Sequence, residues 1–262
     1  MTKLQMAMFP PKSDWVPPVE LPDIFDADEI AIDVETRDPN LKQKGPGWPT
    51  KDGEVVGYAI AVGGWKCYIP VGHAGGGNLD KRIVSKWLKK VFECPAYKIM
   101  HNAQYDLGWI KSMGFEVKGR VIDTMLTASL LDENRFSYSL NALCYDYLNK
   151  TKSEKVLTQA AVEFGLDPKG EMWKLPSQFV GPYAEVDAEI TLELWNHYKT
   201  LLNKEELWQI WELETALLPC LVDMTMRGIR FDTDRAERTK QELIKREKAL
   251  RKRIKEIAGT DV

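Results

Sequence analysis

The chain has 262 residues, of which 44% are hydrophobic, and a formal net charge of −3. It is long enough to bury a core in one large domain or in a domain with an appendage. Its four cysteines form no CxxC pair and it has only three histidines, which argues against a disulfide framework, a zinc knuckle and a histidine-rich metal site. No apolar run approaches a membrane span and the N-terminus lacks a signal-peptide pattern, so we expect a cytoplasmic protein without a membrane partner.

The first part of the sequence predicts an extended lead-in followed by three strands. Five prolines between residues 9 and 23 predict that residues 1–23 are extended and that folding begins near Ile24. The apolar runs VVGYAIAV and WKCYIPV flank Gly63 and Gly64, a turn that predicts a β-hairpin. With the apolar run EIAI before them, they predict three antiparallel strands in a row.

The next elements alternate between helix and strand. Asn78 is the predicted N-cap of the first long helix. Three strands followed by alternating helices and strands predict an α/β fold, in which a mixed sheet is flanked by helices. The predicted elements are a helix over 79–93, a strand at 97–100, a helix over about 102–113 that stops at Gly114, a strand at 119–123 and helices from Thr124 onward.

A helical C-terminal extension begins near Asn203. It contains an apolar helix over 207–226 and a basic helix over about 233–257. Between residues 235 and 255, ten Lys or Arg residues stand against three Glu residues, a local charge of +7 that leaves −10 on the rest of the chain. This charge suits a polyanionic partner and equally a solvated helix face. An apolar stripe recurs every seven residues on the basic helix and predicts a partner for it: Ala236, Leu243, Leu250 and Ile257.

The first strand carries two acidic residues near its end. In the sequence EIAIDVET, Asp33 and Glu35 are two positions apart, so on a strand their side chains point to the same face. Like charges on one face repel each other. We therefore expect a cation between them, a protonated carboxyl group, or a strand that has already ended with both side chains in water.

Two further acidic segments lie at predicted junctions. In HNAQYD, Asn102 and Asp106 have the i,i+4 spacing of one helix face and follow a short strand. In GPYAEVD, Tyr183 and Asp187 have the same spacing, and Pro182 suits the first turn of their helix. Each segment alone has an ordinary explanation, because strand ends, helix caps and surface acids are common. Together the three segments predict four carboxylates at three junctions.

The four carboxylates have the chemistry of a hard-metal site. Oxygen ligands without His or Cys suit Mg²⁺ or Mn²⁺. Two such ions can hold the attacking and the leaving oxygen of an in-line displacement at phosphorus. Divalent cations would also remove the repulsion between Asp33 and Glu35.

Three short segments carry a family resemblance. DVET, HNAQYD and YAEVD resemble the motifs of the DEDDy 3′-to-5′ proofreading exonucleases, which have a ribonuclease-H-like fold. VIDTMLTASLLDENRFSYSLNALC and ETALLPCLVDMTMRGIRFD look like segments of bacterial and phage family A (DNA polymerase I-like) DNA polymerases. The resemblance runs from about residue 20 to the end. It implies an exonuclease domain over 24–202 that degrades single-stranded or frayed DNA 3′ ends, and the start of a polymerase thumb over 203–262.

The resemblance also implies roles for the site residues. Asp33 would bridge two metal ions, Glu35 and Asp187 would complete the tighter site, and Asp106 would hold the second ion, largely through water. Tyr183 would hydrogen-bond the attacking water and, with Glu35, orient it toward the scissile phosphate. Because an ordinary phenol titrates near pH ~10, its expected task is positioning, and ionisation of the water would come from the metal. Three residues are expected at the substrate: Asn102 beside the terminal nucleotide, Leu41 as a wedge between the terminal bases, and Thr36.

The chain departs from the family pattern in two places. The loop after Glu35 is longer than its equivalent in bacterial relatives, and Leu41 within it is the candidate wedge. The sequence ends at IAGTDV, where the family continues into the rest of the thumb, the fingers and the palm. We therefore expect no DNA synthesis by this chain alone. A polymerase region, in the same polypeptide or as a separate subunit, is the expected partner.

Two alternatives stay open from the sequence. An RNA 3′-end trimming exonuclease would share the DEDDy motifs, but it has no reason to carry the thumb-like segment LVDMTMRGIRFD. A catalytically idle module would instead use the basic helix over 233–257 to dock a partner or DNA. Four carboxylates without a metal would be electrostatically unfavourable in such a module.

Overall fold

Five strands form one mixed sheet in the structure, a computed structural model that describes residues 11–259. They are β1 Glu29–Arg37, β2 Glu54–Val62, β3 Trp65–Pro70, β4 Tyr97–Met100 and β5 Val121–Asp123. Their order in the sheet is β3-β2-β1-β4-β5. The β1–β2 and β2–β3 pairs are antiparallel, while the β1–β4 and β4–β5 pairs are parallel. The predicted mixed sheet is confirmed, including its three consecutive antiparallel strands.

Helices account for most of the remaining chain. The described helices are α1 Leu41–Lys44, α2 Lys81–Glu93, α3 Ala103–Ser112, α4 Thr124–Leu131, α5 Leu140–Leu148, α6 Lys155–Glu163, α7 Ser177–Lys204, α8 Trp208–Arg227 and α9 Thr233–Ala258. The chain divides into two compact units, Met1–Met226 and Arg227–Val262. Among the described residues, no helix is long and apolar enough to cross a membrane.

The alternation of β1 separates two hydrophobic cores. Ile30 and Ile32 belong to a core that includes residues of α2 and α3. Ala31 faces the opposite core, which includes residues of α7. Because side chains on a strand alternate, Asp33 and Glu35 share the face of Ala31. The sheet therefore directs both carboxylates towards the side covered by α7.

The start of α2 differs from the prediction. Asp80, not Asn78, is the N-cap, and its carboxylate accepts hydrogen bonds from the backbone N–H groups of Arg82 and Ile83. Asn78 instead binds the backbone N–H and C=O of His73 through its side-chain amide. An aspartate cap has the physical advantage that its negative charge lies at the positive end of the helix dipole.

A buried His–Tyr pair joins the loop after β3 to the segment before α7. The Nδ1 atom of His73 lies 3.0 Å from the carbonyl oxygen of Leu175. Because a carbonyl oxygen can only accept, Nδ1 carries the ring proton and donates a hydrogen bond to it. Nε2 then accepts a 2.6 Å hydrogen bond from the phenol of Tyr68. This phenol lies across Gly57, where a Cβ atom would approach it to 1.9 Å. Gly57 is the partner of Glu35 across the β1–β2 pair, so glycine leaves room for Tyr68 beside the acidic strand.

Pro182 lies inside α7, five residues after its start, and not in the predicted first turn. A proline there has no N–H to donate to the carbonyl group four residues earlier, which belongs to Gln178. The hydroxyl of Ser13 donates to this carbonyl at 2.7 Å. The proline is thus accommodated because a distant segment satisfies the carbonyl group that it leaves free.

The N-terminal segment is held against the same turn of α7. Residues 11–23 contain no helix or strand, while residues 1–10 of the predicted lead-in lie outside the described part of the chain. The ring of Trp15 packs on Gly181, where a Cβ atom would meet it at 2.2 Å. Its indole N–H donates to Glu185 at 2.8 Å. We call residues 11–19 the N-terminal strap.

The second unit consists mainly of α9. Asp232 caps its N-terminus by accepting from the backbone N–H of Arg235, and Gly259 ends it in the left-handed conformation. None of its described residues is buried. The predicted stripe is exposed at Leu243, Leu250 and Ile257, so its partner remains a prediction.

Candidate active site

The β1 strand places two carboxylates at the site. Asp33 pairs with Ala59 and Glu35 with Gly57, and the strand continues to Arg37, so the possibility that it had already ended is wrong. The register with β2 shifts just after Glu35. Burial first, and then the negative charge of Asp187, raises the pKa of Asp33 to about 7. Burial, followed by the charges of Asp33 and Asp187, raises the pKa of Glu35 well above its ordinary value.

The third carboxylate comes from the first turn of α3. Asp106 is buried, and its Oδ1 atom accepts a 2.9 Å hydrogen bond from the backbone N–H of Val34. Val34 lies between the two β1 acids, so this bond ties the helix to the acidic part of the strand. Burial first, and then the charge of Asp33, raises the pKa of Asp106.

Asp123, which the sequence analysis did not single out, orients this helix. Its buried carboxylate accepts from the backbone N–H groups of Asn102 and Ala103 at the start of α3, at 3.0 and 2.9 Å. It also accepts from those of Met125 and Leu126 at the start of α4. One side chain thus caps two helices. The segment VIDT carries the signal for one cap, an Asp between a strand and a helix, but not for the second.

Asn102 is in the left-handed conformation and its side chain makes no cap hydrogen bond. The carboxylate of Asp123, which accepts from the backbone N–H groups of Asn102 and Ala103, supplies the cap of α3 that the side chain of Asn102 does not make. Asn102 therefore lies at the start of α3, as the sequence predicted, and its exposed side chain makes no capping hydrogen bond there.

Replacing Asp123 with alanine is expected to destabilise the protein by about 2 kcal/mol or more, because two helix caps are lost at once and each is worth roughly 0.5–2 kcal/mol. Urea unfolding measures this change. Asp80→Ala, which removes the single cap of α2, is the matched control and should cost about 1 kcal/mol. Equal losses in the two variants would contradict the double-cap assignment.

The fourth carboxylate and the tyrosine lie one turn apart on α7. Asp187 is buried, and burial raises its pKa, while Lys152 and then Tyr183 oppose this shift. Burial first, and then the charges of Asp187 and the two β1 acids, raises the pKa of the Tyr183 phenol. A phenol in this environment keeps its proton at neutral pH, which suits hydrogen bonding and not proton abstraction.

Lys152, between α5 and α6, is a site residue that the sequence analysis missed. Its Nζ atom lies 2.6 and 2.7 Å from the two carboxylate oxygens of Asp187, and its side chain is 5% exposed. Its charge lowers the pKa of Asp33 and Glu35, against the larger upward effects there. Lys152 is thus a cation near the β1 acids, but its contacts are with Asp187, and a cation between Asp33 and Glu35 stays a prediction. No periodicity or motif in the surrounding sequence, LNKTKSEK, indicates it.

The structure brings the predicted acids and Tyr183 to one site: besides burial, the charges of Asp33 and Asp187 raise the pKa of Glu35, that of Asp33 raises the pKa of Asp106, and Asp187 and the two β1 acids raise the pKa of Tyr183. The donors are all carboxylate oxygens, which fit Mg²⁺ or Mn²⁺. As the side chains stand, no group of three or more His, Cys, Asp or Glu residues in the described chain is arranged to hold a metal ion. The carboxylate of Asp187 is bound to Lys152, and that of Asp106 accepts from the backbone N–H of Val34.

Two of the three predicted substrate residues lie together. Thr36 and Leu41 line a cleft of about 390 Å³, with Tyr105 in its wall. The phenol of Tyr105 donates to Asp38, so the hydroxyl of Thr36 donates to Tyr105 at 2.7 Å. Asn102 lies instead in a separate cleft of about 290 Å³ that includes residues of α8. The wedge role of Leu41, which is 41% exposed, remains a prediction.

The fold is ribonuclease-H-like, and solved structures with low sequence identity share it. One match is the POL domain of Pol1 from M. smegmatis, solved with DNA primer-template and dNTP. It has a TM-score of 0.65 and 16% identity, and it covers 91% of this chain and 35% of the Pol1 chain. A second match is Escherichia coli RNase D, an exoribonuclease involved in structured RNA processing. It matches with a TM-score of 0.56 and 16% identity, over 76% of this chain and 46% of the RNase D chain.

The sequence matches are more specific. The chain belongs to the 3′-5′ exonuclease family of family A DNA polymerases, whose model matches residues 23–203. A DNA-directed DNA polymerase of Pseudomonas phage M6 is 35% identical over 270 residues, covering 99% of this chain. The chain spans 40% of the length of that relative. The family resemblance drawn from the sequence motifs is therefore confirmed.

Proposed function

We propose that this chain is the exonuclease portion of a family A DNA polymerase and hydrolyses the terminal phosphodiester of single-stranded or frayed DNA 3′ ends, releasing 5′-mononucleotides. The observation that carries this proposal is the arrival of four carboxylates and a protonated tyrosine from β1, α3 and α7 at one site. The DNA polymerase relatives support DNA as the substrate.

The proposed cofactors are two Mg²⁺ or Mn²⁺ ions held by Asp33, Glu35, Asp106 and Asp187. When bound, such ions lower the pKa of a water molecule and stabilise charge on phosphoryl oxygens. Tyr183 keeps its proton and orients the attacking water by a hydrogen bond. Leu41 and Thr36, in the cleft, would contact the terminal nucleotide.

Residues 203–262 are proposed to be the start of a thumb, with the remaining polymerase region in the same polypeptide or in a separate subunit. The length of the phage M6 relative, of which this chain spans 40%, supports this proposal. The carboxylate site belongs to the exonuclease part, so no DNA synthesis is expected from these 262 residues alone. Primer extension with all four deoxynucleotides and Mg²⁺ tests this expectation.

A second candidate is an RNA 3′-end exonuclease, favoured only by the fold it shares with RNase D. The test is digestion of a 5′-labelled single-stranded DNA and a matched RNA with Mg²⁺, Mn²⁺ or EDTA. Stepwise, metal-dependent shortening of DNA from the 3′ end, with slower loss of RNA, is expected. Faster loss of RNA would support the RNA trimming function. Intact DNA with either metal would mean that the site is idle or that it needs the polymerase region as a partner.

A further inference from the structure

Lys152 is an enclosed cation within an acidic site. Its Nζ atom contacts both oxygens of Asp187 at 2.6 and 2.7 Å, and a weaker contact joins it to Glu154 at 3.8 Å. It also lies 4.2 Å from the ring centre of Tyr183, within the range of a cation–π interaction. The ammonium group is thus held by the two residues of the third acidic segment. With 5% of its side chain exposed, it has little access to water.

A buried ammonium group of this kind is stabilised only if its charge is compensated. Asp187 supplies that compensation, and Lys152 in turn neutralises part of a cluster of four carboxylates. Without the lysine, each of these carboxylates would be left with like charges and little solvent. The ammonium group therefore serves the same electrostatic purpose as a metal ion, in a form that the polypeptide itself supplies.

The same two oxygens of Asp187 are proposed metal ligands. A divalent ion bound to them would lie close to Lys152, and two cations at such short range repel each other strongly in a partly buried site. The lysine side chain is long and flexible, and Glu154, at 3.8 Å from its ammonium group, is another anionic contact. Separation of Lys152 from Asp187 is therefore the local rearrangement that metal binding requires.

We propose that Lys152 is a displaceable internal cation, a positioning residue that holds Asp187 and Tyr183 in place before metal binds and leaves the Asp187 oxygens when a divalent ion arrives. Metal affinity is then set by an exchange of one cation for another. This inference rests on the proposed metal role of the four carboxylates. It adds that Lys152 has two effects: it weakens metal binding by competing for Asp187, and it keeps the site ordered when no metal is bound.

The test is Mn²⁺ binding to the 262-residue protein without DNA, measured by calorimetry for the wild type and Lys152→Met. The variant lacks the competing cation, and a charge-assisted hydrogen bond of ~1.5–3 kcal/mol corresponds to a roughly 10- to 150-fold tighter Kd for Mn²⁺. The metal-free variant should unfold at a lower temperature than the wild type, and saturating Mn²⁺ should raise its Tm by more.

Lys150→Met is the matched control. Lys150 makes the same two-oxygen contact, at 2.7 and 2.6 Å, with Glu193 of α7, but its side chain is 55% exposed and its ion pair is with Glu193 and not with any of the four carboxylates. The Mn²⁺ affinity of the Lys150→Met protein should stay within twofold of that of the wild type. Should Lys152→Met fail to fold, Lys152→Gln keeps a hydrogen-bond donor without the charge, and the same tightening is expected.

The outcomes separate this inference from the proposed function. Unchanged or weaker Mn²⁺ binding in the Lys152 variants, with measurable binding by the wild type, would overturn the exchange while leaving the metal site intact. Absence of Mn²⁺ binding in the wild type and in both Lys152 variants would overturn the metal role of the carboxylates, and the exchange with it.

Discussion

Asp33→Ala is expected to lower the rate of DNA 3′-end hydrolysis by at least about 10³-fold, because the proposed ligand shared by both metal ions is lost. A metal-based stabilisation of several kcal/mol corresponds to a change of this size. The measurement is single-turnover digestion of 5′-labelled DNA at saturating Mg²⁺. The fold should persist, since the substitution removes a charge that other buried carboxylates repel.

Glu116→Ala is the control for this loss. Glu116 is an exposed acid, 68% accessible, whose nearest cation is Lys118 at 3.9 Å, so its removal should leave the digestion rate within about twofold. A rate for Asp33→Ala within tenfold of the wild type would remove Asp33 from the proposed metal-bridging role.

The stability of the folded protein should depend on pH through the carboxyl group of Asp33. In EDTA, the free energy of unfolding of Asp33→Asn should exceed that of the wild type by a margin that grows as pH rises from about 4 to about 7. The pKa of Asp33 is raised from 3.8 to about 7 by burial and by Asp187. Between these values the folded carboxyl group holds a proton that the unfolded chain has released, so rising pH destabilises the folded wild type. The full difference, present above pH 7, is on the order of a few kcal/mol.

Two buried histidines have the opposite effect on the pH dependence of stability, because they destabilise the folded protein as pH falls. Burial lowers the pKa of His73 and of His101 to about 4, so each destabilises the folded protein as pH falls below 6.5. Both are present in Asp33→Asn as well, and the difference between the two proteins removes their contribution. Urea unfolding at several pH values measures this difference. A margin that is constant across this range would mean that Asp33 is already ionised in the folded protein at pH 4. Mg²⁺ should reduce the margin, because it favours the ionised carboxyl group.

The sequence predicted the site because its strongest signals are local. Strand alternation places Asp33 and Glu35 on one face, and the i,i+4 spacing keeps Tyr183 with Asp187 on one face of a helix. These relations do not depend on the rest of the fold. The order of strands and helices was equally accessible, because apolar runs, glycines and turn residues mark each element.

What the sequence could not show depends on long-range contacts. Lys152 reaches Asp187 across 35 residues of sequence, and Asp123 caps a helix that begins some 20 residues earlier. The interior position of Pro182 is tolerated because the hydroxyl of Ser13 satisfies the carbonyl group of Gln178. In each case the deciding partner lies outside the segment that a local pattern covers.

The N-terminal strap has a consequence for the order of folding. Its hydrogen bonds join Ser13 to a residue 165 positions later and Trp15 to one 170 positions later, next to Tyr183. Contacts of such separation form late, because the closure of a long loop must be offset before they contribute. During synthesis Trp15 emerges well before α7, and until α7 has left the ribosome its ring can meet only Tyr68 of β3, whose ring centre lies 6.0 Å away in the folded protein. The turn that carries Tyr183 thus acquires its final support only when the earliest and latest parts of the exonuclease unit meet.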